Sequence, residues 1–174
     1  MNRPLTLLGE DAPSVALRAV EIADIEQLRL WKNANKNAFF FKEDISPAAQ
    51  ERWFEGYLKR PADFMFIVES RAMKAGCMGF RVIENAADCY NIIGAPEARG
   101  RGIMREAMIL MCSYIRAEHS SRIGCAVIRG NSAVSWYEKC GYRIASTEKD
   151  FYRLELDFSR FSTIPYKKMD RASA

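Results

Sequence analysis

Apolar residues recur every three or four positions in four parts of the chain, which is the spacing of one helix face. Capping signals mark the start of two of these parts: Asp24 with Gln27 in the first, and Ser46 followed by Pro47 in the second. The sequence therefore predicts four helices, at about 25–33, 47–60, 103–115 and 132–139.

Between the helices, the hydrophobic pattern changes to the continuous or alternating runs that are typical of strands. Phe64-Met65-Phe66-Ile67-Val68 is continuous, whereas Ile123, Cys125 and Val127 alternate with other residues. A turn near Lys74 separates the continuous run from the next strands, which indicates an antiparallel meander. The predicted strands are about 15–20, 64–68, 77–83, 89–93, 123–127, 142–145 and 152–156.

The two ends of the chain lack this periodicity, and no repeat, low-complexity tract or linker divides the part between them. We therefore predict a loose N-terminal arm at 1–13, one domain at 14–160 and a C-terminal tail at 161–174, frayed from Tyr166 onward. Strands and helices are mixed along the chain, which predicts an α+β fold.

Composition and charge narrow the class of protein. The 174 residues are 49% hydrophobic, which is enough for one sizeable core. The net charge is only +4, and the basic residues are dispersed, which favours an anionic small molecule over a nucleic acid as the partner. No apolar stretch approaches the roughly 20 residues that a membrane span requires. We expect a cytoplasmic protein that binds neither nucleic acid nor membrane.

The cysteines give no pattern of a disulfide framework or of a zinc site. Their number is odd, no C-x-x-C pair occurs, and His119 is the single histidine. We expect most of the thiols to be small core residues in a reducing compartment, and we predict no metal site.

The segment from Gly94 to Gly102 leads from a predicted strand into the third helix and is a candidate anion site. The first turn of a helix carries unpaired backbone N–H groups and the positive end of the helix dipole. Gly100 and Gly102 let a ligand approach the backbone closely, and the arginines of the same turn add positive charge. The alternative is that the two glycines only shape a tight turn.

Two common phosphate motifs do not fit this segment. A Walker A loop would need Lys followed by Ser or Thr, where Ile103-Met104 stand. A dinucleotide fingerprint would need a third glycine in place of Arg105, early in a parallel βαβ unit.

A second group of residues lies around the predicted fourth helix. Asn131 can cap this helix, Tyr137 lies on it, and Gly141 can supply its left-handed exit. The alternative is that Asn131 is only a cap and that Tyr137 is only a core residue.

Taken together, the two segments resemble the GNAT superfamily of N-acetyltransferases. Glu97-x-x-Gly100-x-Gly102 is similar to the pyrophosphate motif of that family, with Glu97 where Gln or Arg is usual. Asn131, Tyr137 and Gly141-Tyr142 are similar to its later motif. The resemblance implies a central, mostly antiparallel twisted sheet of about six or seven strands, splayed at the cofactor site and flanked by about four helices.

The resemblance further implies an acyltransferase that uses acetyl-CoA, in which a neutral amine attacks the thioester directly. Tyr137 would protonate the departing sulfur, and backbone N–H groups near 93–95 would hold the thioester oxygen. The base is left open between Glu84, Asp88 and no base at all. The implied cofactor-binding residues are Ile93, Gly94, Ala95, Arg99, Gly100, Arg101, Gly102, Ile103, Met104 and Asn131.

The N-terminal part resembles one branch of the family, which includes bacterial amino-sugar and ribosomal-protein N-terminal acetyltransferases. The resemblance rests on Leu17-Arg18, Asp24, Trp31-Lys32-Asn33, Ser46 and Trp53-Phe54. It implies that Lys32, which replaces the usual Arg, and Asn33 bind the substrate. The acceptor is then a small-molecule amine, such as an amino-sugar nucleotide, or a peptide N-terminus, and the protein is a monomer or a homodimer.

Two other functions stay open. The chain could be a non-catalytic acetyl-CoA sensor, or an adaptor that uses Phe39-Phe40-Phe41 as a binding surface. We expect these three aromatic residues to line the acceptor pocket or to pack into the core.

Overall fold

The computed structural model describes residues 5–10 and 14–170, and this part of the chain forms nine strands and four helices. All the helices and strands that the hydrophobic pattern predicts are present. In chain order the elements are β1 (Leu5–Gly9), β2 (Ala16–Ala19), α1 (Ile25–Ala34), α2 (Pro47–Leu58), β3 (Asp63–Ser70), β4 (Met73–Ile83), β5 (Ala86–Gly94), α3 (Ile103–Glu118), β6 (Ile123–Ile128), α4 (Ala133–Lys139), β7 (Tyr142–Thr147), β8 (Phe151–Leu156) and β9 (Tyr166–Asp170).

The nine strands form one sheet in the order β7-β8-β6-β5-β4-β3-β2-β1-β9. Every neighbouring pair is antiparallel except β5 and β6, which run parallel and are connected through α3. That parallel pairing is short, because only Ala87 with Ile123 and Asp88 with Gly124 are in register. Beyond these pairs β5 and β6 separate. The prediction of a mostly antiparallel sheet that splays is confirmed.

The helices cover opposite faces of the sheet. Phe64 of β3 packs edge to face on Tyr114 of α3, with ring centroids 6.4 Å apart. The next residue, Met65, borders a cavity together with Trp53 of α2 and Leu28 of α1. Successive side chains of a strand point to opposite faces. Thus α3 lies on one face, and α2, with the adjacent α1, lies on the other.

The ends of the described chain differ from the sequence-based expectation. Residues 5–9 and 166–170 are not a loose arm and a frayed tail; they are the strands β1 and β9, paired from Leu5 with Asp170 to Gly9 with Tyr166. Leu7 is fully buried in the core. The Nζ of Lys168 forms an ion pair of 2.8 Å with Glu118 at the end of α3. The sheet therefore has two more strands than predicted. The rest of both segments, 1–4, 11–13 and 171–174, lies outside the described residues.

A buried group of charges fixes the start of α1. Arg18 is 6% exposed and Asp24 only 1%, and their side chains are joined by two hydrogen bonds of 2.8 and 3.0 Å. The Nζ of Lys74 donates to Asp24 at 2.7 Å, and the Nε of Arg18 donates to Glu69 at 2.7 Å. Burial alone would raise the pKa of Asp24, but the hydrogen bonds from Arg18 and Lys74 lower it to about 2. Asp24 thus connects β2 and β4 to α1.

The five cysteines are buried free thiols, as the sequence predicts. His119, directly after α3, packs among the rings of Phe64, Phe80 and Tyr114, with centroid distances of 4.7 to 5.2 Å. Among the described residues, none of the helices combines the length and the hydrophobicity needed to span a bilayer.

Candidate active site

The gap between β5 and β6 opens into a cavity of about 790 Å³, which we call the cleft. It extends from the end of α1 and the loop at 35–41, past β5, to the turn before α3 and to α4. Most of the predicted site residues lie in this one cavity. They are Lys32, Ile93, Gly94, Ala95, Arg99, Gly100, Gly102, Met104, Asn131 and Tyr137, whereas Arg101, Ile103 and Asn33 do not line it.

A β-bulge in β5 produces the opening. Cys77 of β4 pairs with Ile93, and Gly79 pairs with Tyr90, so β5 has one residue more than β4 in this interval. Asn91 lies inside the bulge with a φ of 50°. Asparagine tolerates this left-handed conformation better than most residues. The bulge bends β5 away from β6 at the centre of the cleft.

The bulge and the hydrogen bonds between β4 and β5 also decide which backbone groups at the end of β5 are free to bind a ligand. The N–H of Ala95 donates to the carbonyl oxygen of Ala75 at 2.8 Å, so it is not available to a ligand. Backbone groups of successive strand residues point to opposite edges. The N–H of Gly94 therefore points away from β4, toward the gap. Of the backbone N–H groups predicted at 93–95 to hold the thioester oxygen, that of Gly94 is therefore the candidate donor.

The turn before α3 presents a row of unpaired N–H groups. The N–H groups of Arg105 and Glu106 bond to the Gly102 carbonyl oxygen at 3.1 and 3.0 Å. Within the described part of the chain, the N–H groups of residues 100–104 have no acceptor. Gly100 and Gly102 have φ values of 73° and 74°, and a Cβ at either position would meet nothing within 4 Å. This open, donor-rich turn fits an anionic group such as a pyrophosphate.

Asn131 is held by the same hydrogen bond that makes it a cap. Its Oδ1 accepts from the N–H of Ala133 at 2.9 Å, at the start of α4. The side-chain amide nitrogen is then the group left to contact a ligand in the cleft. Asn131 can therefore cap α4 and contact a ligand at the same time, although the sequence leaves these two functions as alternatives.

Tyr137 lines the cleft from α4 and is 8% exposed. Its ring packs edge to face on Trp136 at 5.1 Å and on Tyr142 at 5.5 Å, which fixes its direction. Burial, with a further contribution from the nearby thiols of Cys125 and Cys89, holds the pKa of Tyr137 well above its usual value. The side chain is therefore a neutral phenol, which can donate a proton or a hydrogen bond.

Lys32 is a cation in a largely apolar setting. Its Nζ donates to the Oδ1 of Asn91 at 2.5 Å and lies 3.2 Å from the centre of the Phe39 ring. No carboxylate of the described residues forms an ion pair with it. Burial lowers the pKa of Lys32 from 10.5 to about 8. An unpaired charge at this position favours the binding of an anion.

Asn33 has a different environment from its neighbour. Its side-chain amide donates to the Ile45 carbonyl oxygen at 3.0 Å and accepts from the Ile45 N–H at 2.8 Å. It therefore holds the loop at 35–46 against α1, and it does not line the cleft. A substrate contact through Asn33 stays a prediction that this geometry does not favour.

The two carboxylates considered as bases lie in different places. Asp88 lines the cleft, but its Oδ2 accepts hydrogen bonds from Arg81 at 3.0 and 2.9 Å. Glu84 lies in the tight turn between β4 and β5, with a φ of 49°, and does not line the cleft.

A second cavity, of about 370 Å³, lies between α1, α2 and the sheet, and we call it the side chamber. It shares Lys32, Phe41, Asn91 and Ile93 with the cleft, so the two cavities meet at the bulge. The sequence gives no direct signal for the chamber or for Asn91, apart from one asparagine within an apolar strand. Phe39, Phe40 and Phe41 line the cleft, and their contact with the acceptor stays a prediction.

Comparison with known proteins shows the family and the fold. The family model for the acetyltransferase (GNAT) domain matches residues 14–143. A search of curated protein sequences finds no match. Solved structures are similar in fold. A spermidine N-acetyltransferase from Vibrio cholerae, in complex with CoA and spermine, has a TM-score of 0.73 and 23% identity over 86% of this chain and 98% of its own.

Two further structures show the same fold at lower identity. The apo form of FdhC, described as a nucleotide-linked sugar GNAT, has a TM-score of 0.74 and 18% identity over 88% of this chain and 92% of its own. RimL, a ribosomal L7/L12 alpha-N-protein acetyltransferase, has a TM-score of 0.67 and 18% identity over 83% of this chain and 88% of its own.

Proposed function

The chain belongs to the GNAT acetyltransferase family, and on that premise we propose that it transfers the acetyl group of acetyl-CoA to the primary amine of an amino-sugar nucleotide. Family membership supports the N-acetyltransferase activity and the donor. The acceptor is our inference. The observation that carries the proposal is that the open N–H turn, Gly94, Tyr137 and the unpaired Lys32 all border one cleft.

The residues of the cleft fit the donor. The unpaired N–H groups at 100–104 would hold the pyrophosphate, and Arg99 and Arg105 line the same end of the cleft. The amide nitrogen of Asn131 would hold the pantetheine arm. The Nε of Arg105 also donates to the Lys139 carbonyl oxygen at 3.1 Å, which holds α3 against α4. The phosphate end and the Tyr137 end of the cleft thus have a fixed relative position.

The proposed reaction needs only a few protein groups. Acetyl-CoA supplies a thioester, which a neutral amine attacks directly. The N–H of Gly94 would donate to the oxygen of the carbonyl group, where negative charge develops. Tyr137 would donate to the sulfur. The raised pKa of Tyr137 makes full proton transfer to the sulfur uphill. We therefore propose that the Tyr137 hydroxyl acts mainly through a hydrogen bond to the sulfur.

Lys32 supports an anionic acceptor. A polyamine would bring its own positive charges next to an unpaired cation, which is unfavourable at short range. The phosphates of a sugar nucleotide would instead pair with Lys32. The V. cholerae protein acts on spermidine and FdhC on a nucleotide-linked sugar, and the charge of Lys32 favours the second kind of acceptor here.

A CoA-release assay with a panel of amines tests the proposal. We expect CoA release with nucleoside-diphosphate-linked amino-hexoses, and weaker or no release with spermidine, aminoglycosides and N-terminal peptides. Acetyl-CoA should also raise the melting temperature, because it binds the folded state. Release with peptides alone would favour the protein N-terminal alternative. A melting shift with no release for any amine would favour a sensor.

Lys32 gives a pH-dependent prediction for this acceptor. The ammonium is charged below the lowered pKa of about 8 and neutral above it. The KM for the amino-sugar nucleotide should therefore rise as the pH increases through 8, and the Lys32→Met variant should have a KM raised by about tenfold at pH 7. The Lys32→Arg variant keeps its charge at pH 9. The KM ratio of wild type to this variant should therefore increase with pH.

Lys59→Met is the matched control for this prediction, since Lys59 is exposed at the end of α2 and lines neither cavity. It should leave the KM and its pH profile unchanged. If Lys32→Met has the KM of the wild type, Lys32 does not bind the acceptor. A change in the KM for acetyl-CoA would instead place Lys32 in the donor site.

A further inference from the structure

The side chamber contains a polar side chain without a partner. Gln50 of α2 is 6% exposed and lines the chamber. Its backbone N–H bonds to Ser46, but among the residues that the structure describes, no group bonds to the side-chain amide. The amide is not sealed off, because among the described residues the Nε2 of His119 is the side-chain atom that is both fully buried and without a hydrogen bond. The Gln50 amide is therefore accessible within the chamber and free to bond to a molecule that enters it.

The wall beside Gln50 is aromatic and is held in place. Trp53, one turn further along α2, lines the chamber and stacks on Tyr57 with a centroid distance of 5.4 Å and an interplanar angle of 14°. Tyr57 is fixed in turn, because its hydroxyl accepts the N–H of Met65 at 3.1 Å. The chamber thus offers a rigid aromatic wall and an amide within one turn of the same helix.

The position of the chamber relates it to the reaction. It meets the cleft at Lys32, Asn91 and Ile93, beside the end of β5 where the acetyl group would be attacked. A molecule that occupies the chamber would therefore reach the reaction centre. Its volume of about 370 Å³ suits a compact group rather than a whole nucleotide or a folded peptide.

We propose that the side chamber binds the sugar ring of the acceptor, with Gln50 hydrogen-bonded to a ring hydroxyl and Trp53 packed against the apolar C–H face of the ring. This inference rests on the proposed function and names Gln50 as a specificity-determining residue for that site. An amide both donates and accepts hydrogen bonds, which matches a hydroxyl group. The remaining charged part of the acceptor would lie toward Lys32 and the cleft.

A different occupant would be the acyl chain of a longer acyl-CoA donor. Met65, Leu28 and Ile93 would suit such a chain. However, a hydrocarbon chain would leave the Gln50 amide unpaired and would lie beside the Lys32 ammonium. The polar groups of the chamber therefore favour the sugar.

The Gln50→Met variant tests the proposal with two independent measurements. Methionine has a similar shape and no hydrogen-bonding amide, and the Gln50 amide has no protein partner to lose, so we expect the melting temperature of the free protein to stay close to that of the wild type. The same variant should show a KM for a nucleoside-diphosphate-linked amino-hexose raised about tenfold, with the KM for acetyl-CoA unchanged. The acceptor affinity would then fall while the stability of the free protein stays the same.

Gln27→Met is the matched control, because Gln27 lies on α1 and lines neither cavity. It should change neither the melting temperature of the free protein nor the acceptor KM appreciably. Butyryl-CoA and free glucosamine complete the set of probes. Free glucosamine should compete with the sugar nucleotide in the wild type and less strongly in Gln50→Met.

The outcomes separate this inference from the proposed function. CoA release from the wild type with an unchanged acceptor KM in Gln50→Met would overturn the sugar subsite and keep the acetyltransferase. A lower KM for butyryl-CoA in that variant would assign the chamber to the donor. A lower melting temperature would show that Gln50 is a structural residue. Release only with amines that are not sugars would overturn both the sugar subsite and the proposed acceptor.

Discussion

Replacing Tyr137 by Phe is expected to lower kcat by roughly a hundredfold, with little change in the affinity for acetyl-CoA. The variant keeps the ring contacts with Trp136 and Tyr142 and loses only the hydroxyl group that borders the cleft. A proton donor for the leaving sulfur matters in the transition state rather than in the bound ground state. Steady-state kinetics with a good acceptor, together with calorimetric titration of acetyl-CoA, separate the two effects.

The pH dependence of the wild type gives a second test of Tyr137. Burial keeps the pKa of the phenol well above its usual value, so its ionisation should cause no loss of kcat between about pH 7 and pH 9.

Tyr152→Phe is the matched control for Tyr137→Phe, because Tyr152 lies on β8 and lines neither cavity. An unchanged kcat in Tyr137→Phe would remove Tyr137 from the mechanism.

Replacing Asp24 by Ala should lower the free energy of unfolding by about 3 kcal/mol, which is the largest loss of stability that we expect from any of these variants. The change leaves the buried guanidinium of Arg18 with Glu69 at 2.7 Å and Glu21 at 3.7 Å, and it frees the Nζ of Lys74. It also removes the acceptor for the Glu21 N–H at the start of α1. Urea unfolding at pH 7, followed by circular dichroism, measures the loss.

The same carboxylate should make stability depend on acid. Its pKa is about 2 in the folded protein and close to 3.8 when unfolded, so its contribution is complete above the unfolded value. The contribution is lost as the pH falls from about 4 to 2. Wild type and Asp24→Ala should therefore converge in stability at low pH.

The control for Asp24 is a surface carboxylate in the first turn of α1. Glu26→Ala removes an exposed ion pair with Arg29 and should change the unfolding free energy little at any pH. If Asp24→Ala is as stable as the wild type at pH 7, the buried charges do not hold α1 to the sheet.

The sequence predicted the inner elements of the fold because each of them carries a local signal. Ser46, for example, caps α2 through its hydroxyl, which accepts the Ala49 N–H at 3.2 Å, and Pro47 begins the helix. The strands β1 and β9 have no such signal. Each is only five residues long, and each exists because it pairs with a partner far away in the chain. Short segments that depend on distant partners are the least predictable from sequence.

The residues of the site likewise differ in whether a local sequence signal predicts them. Short motifs with a spacing that is visible in the sequence contain Gly100, Gly102, Asn131 and Tyr137, and all four line the cleft. Gln50 looks like an ordinary polar residue within a helix. It becomes a candidate contact only because Trp53, Lys32 and the bulge in β5 enclose it. The surroundings of Gln50 depend on tertiary packing between three elements. The hydrophobic periodicity of one helix does not predict such packing.

The pairing of β1 with β9 has a consequence for the order of synthesis. β1 emerges from the ribosome first and can pair with β2 early, but its outer edge stays open until residues 166–170 have been made. During that interval the open edge can pair with another nascent chain. We expect chains truncated before Tyr166 to aggregate during expression, even though they keep every residue of the cleft.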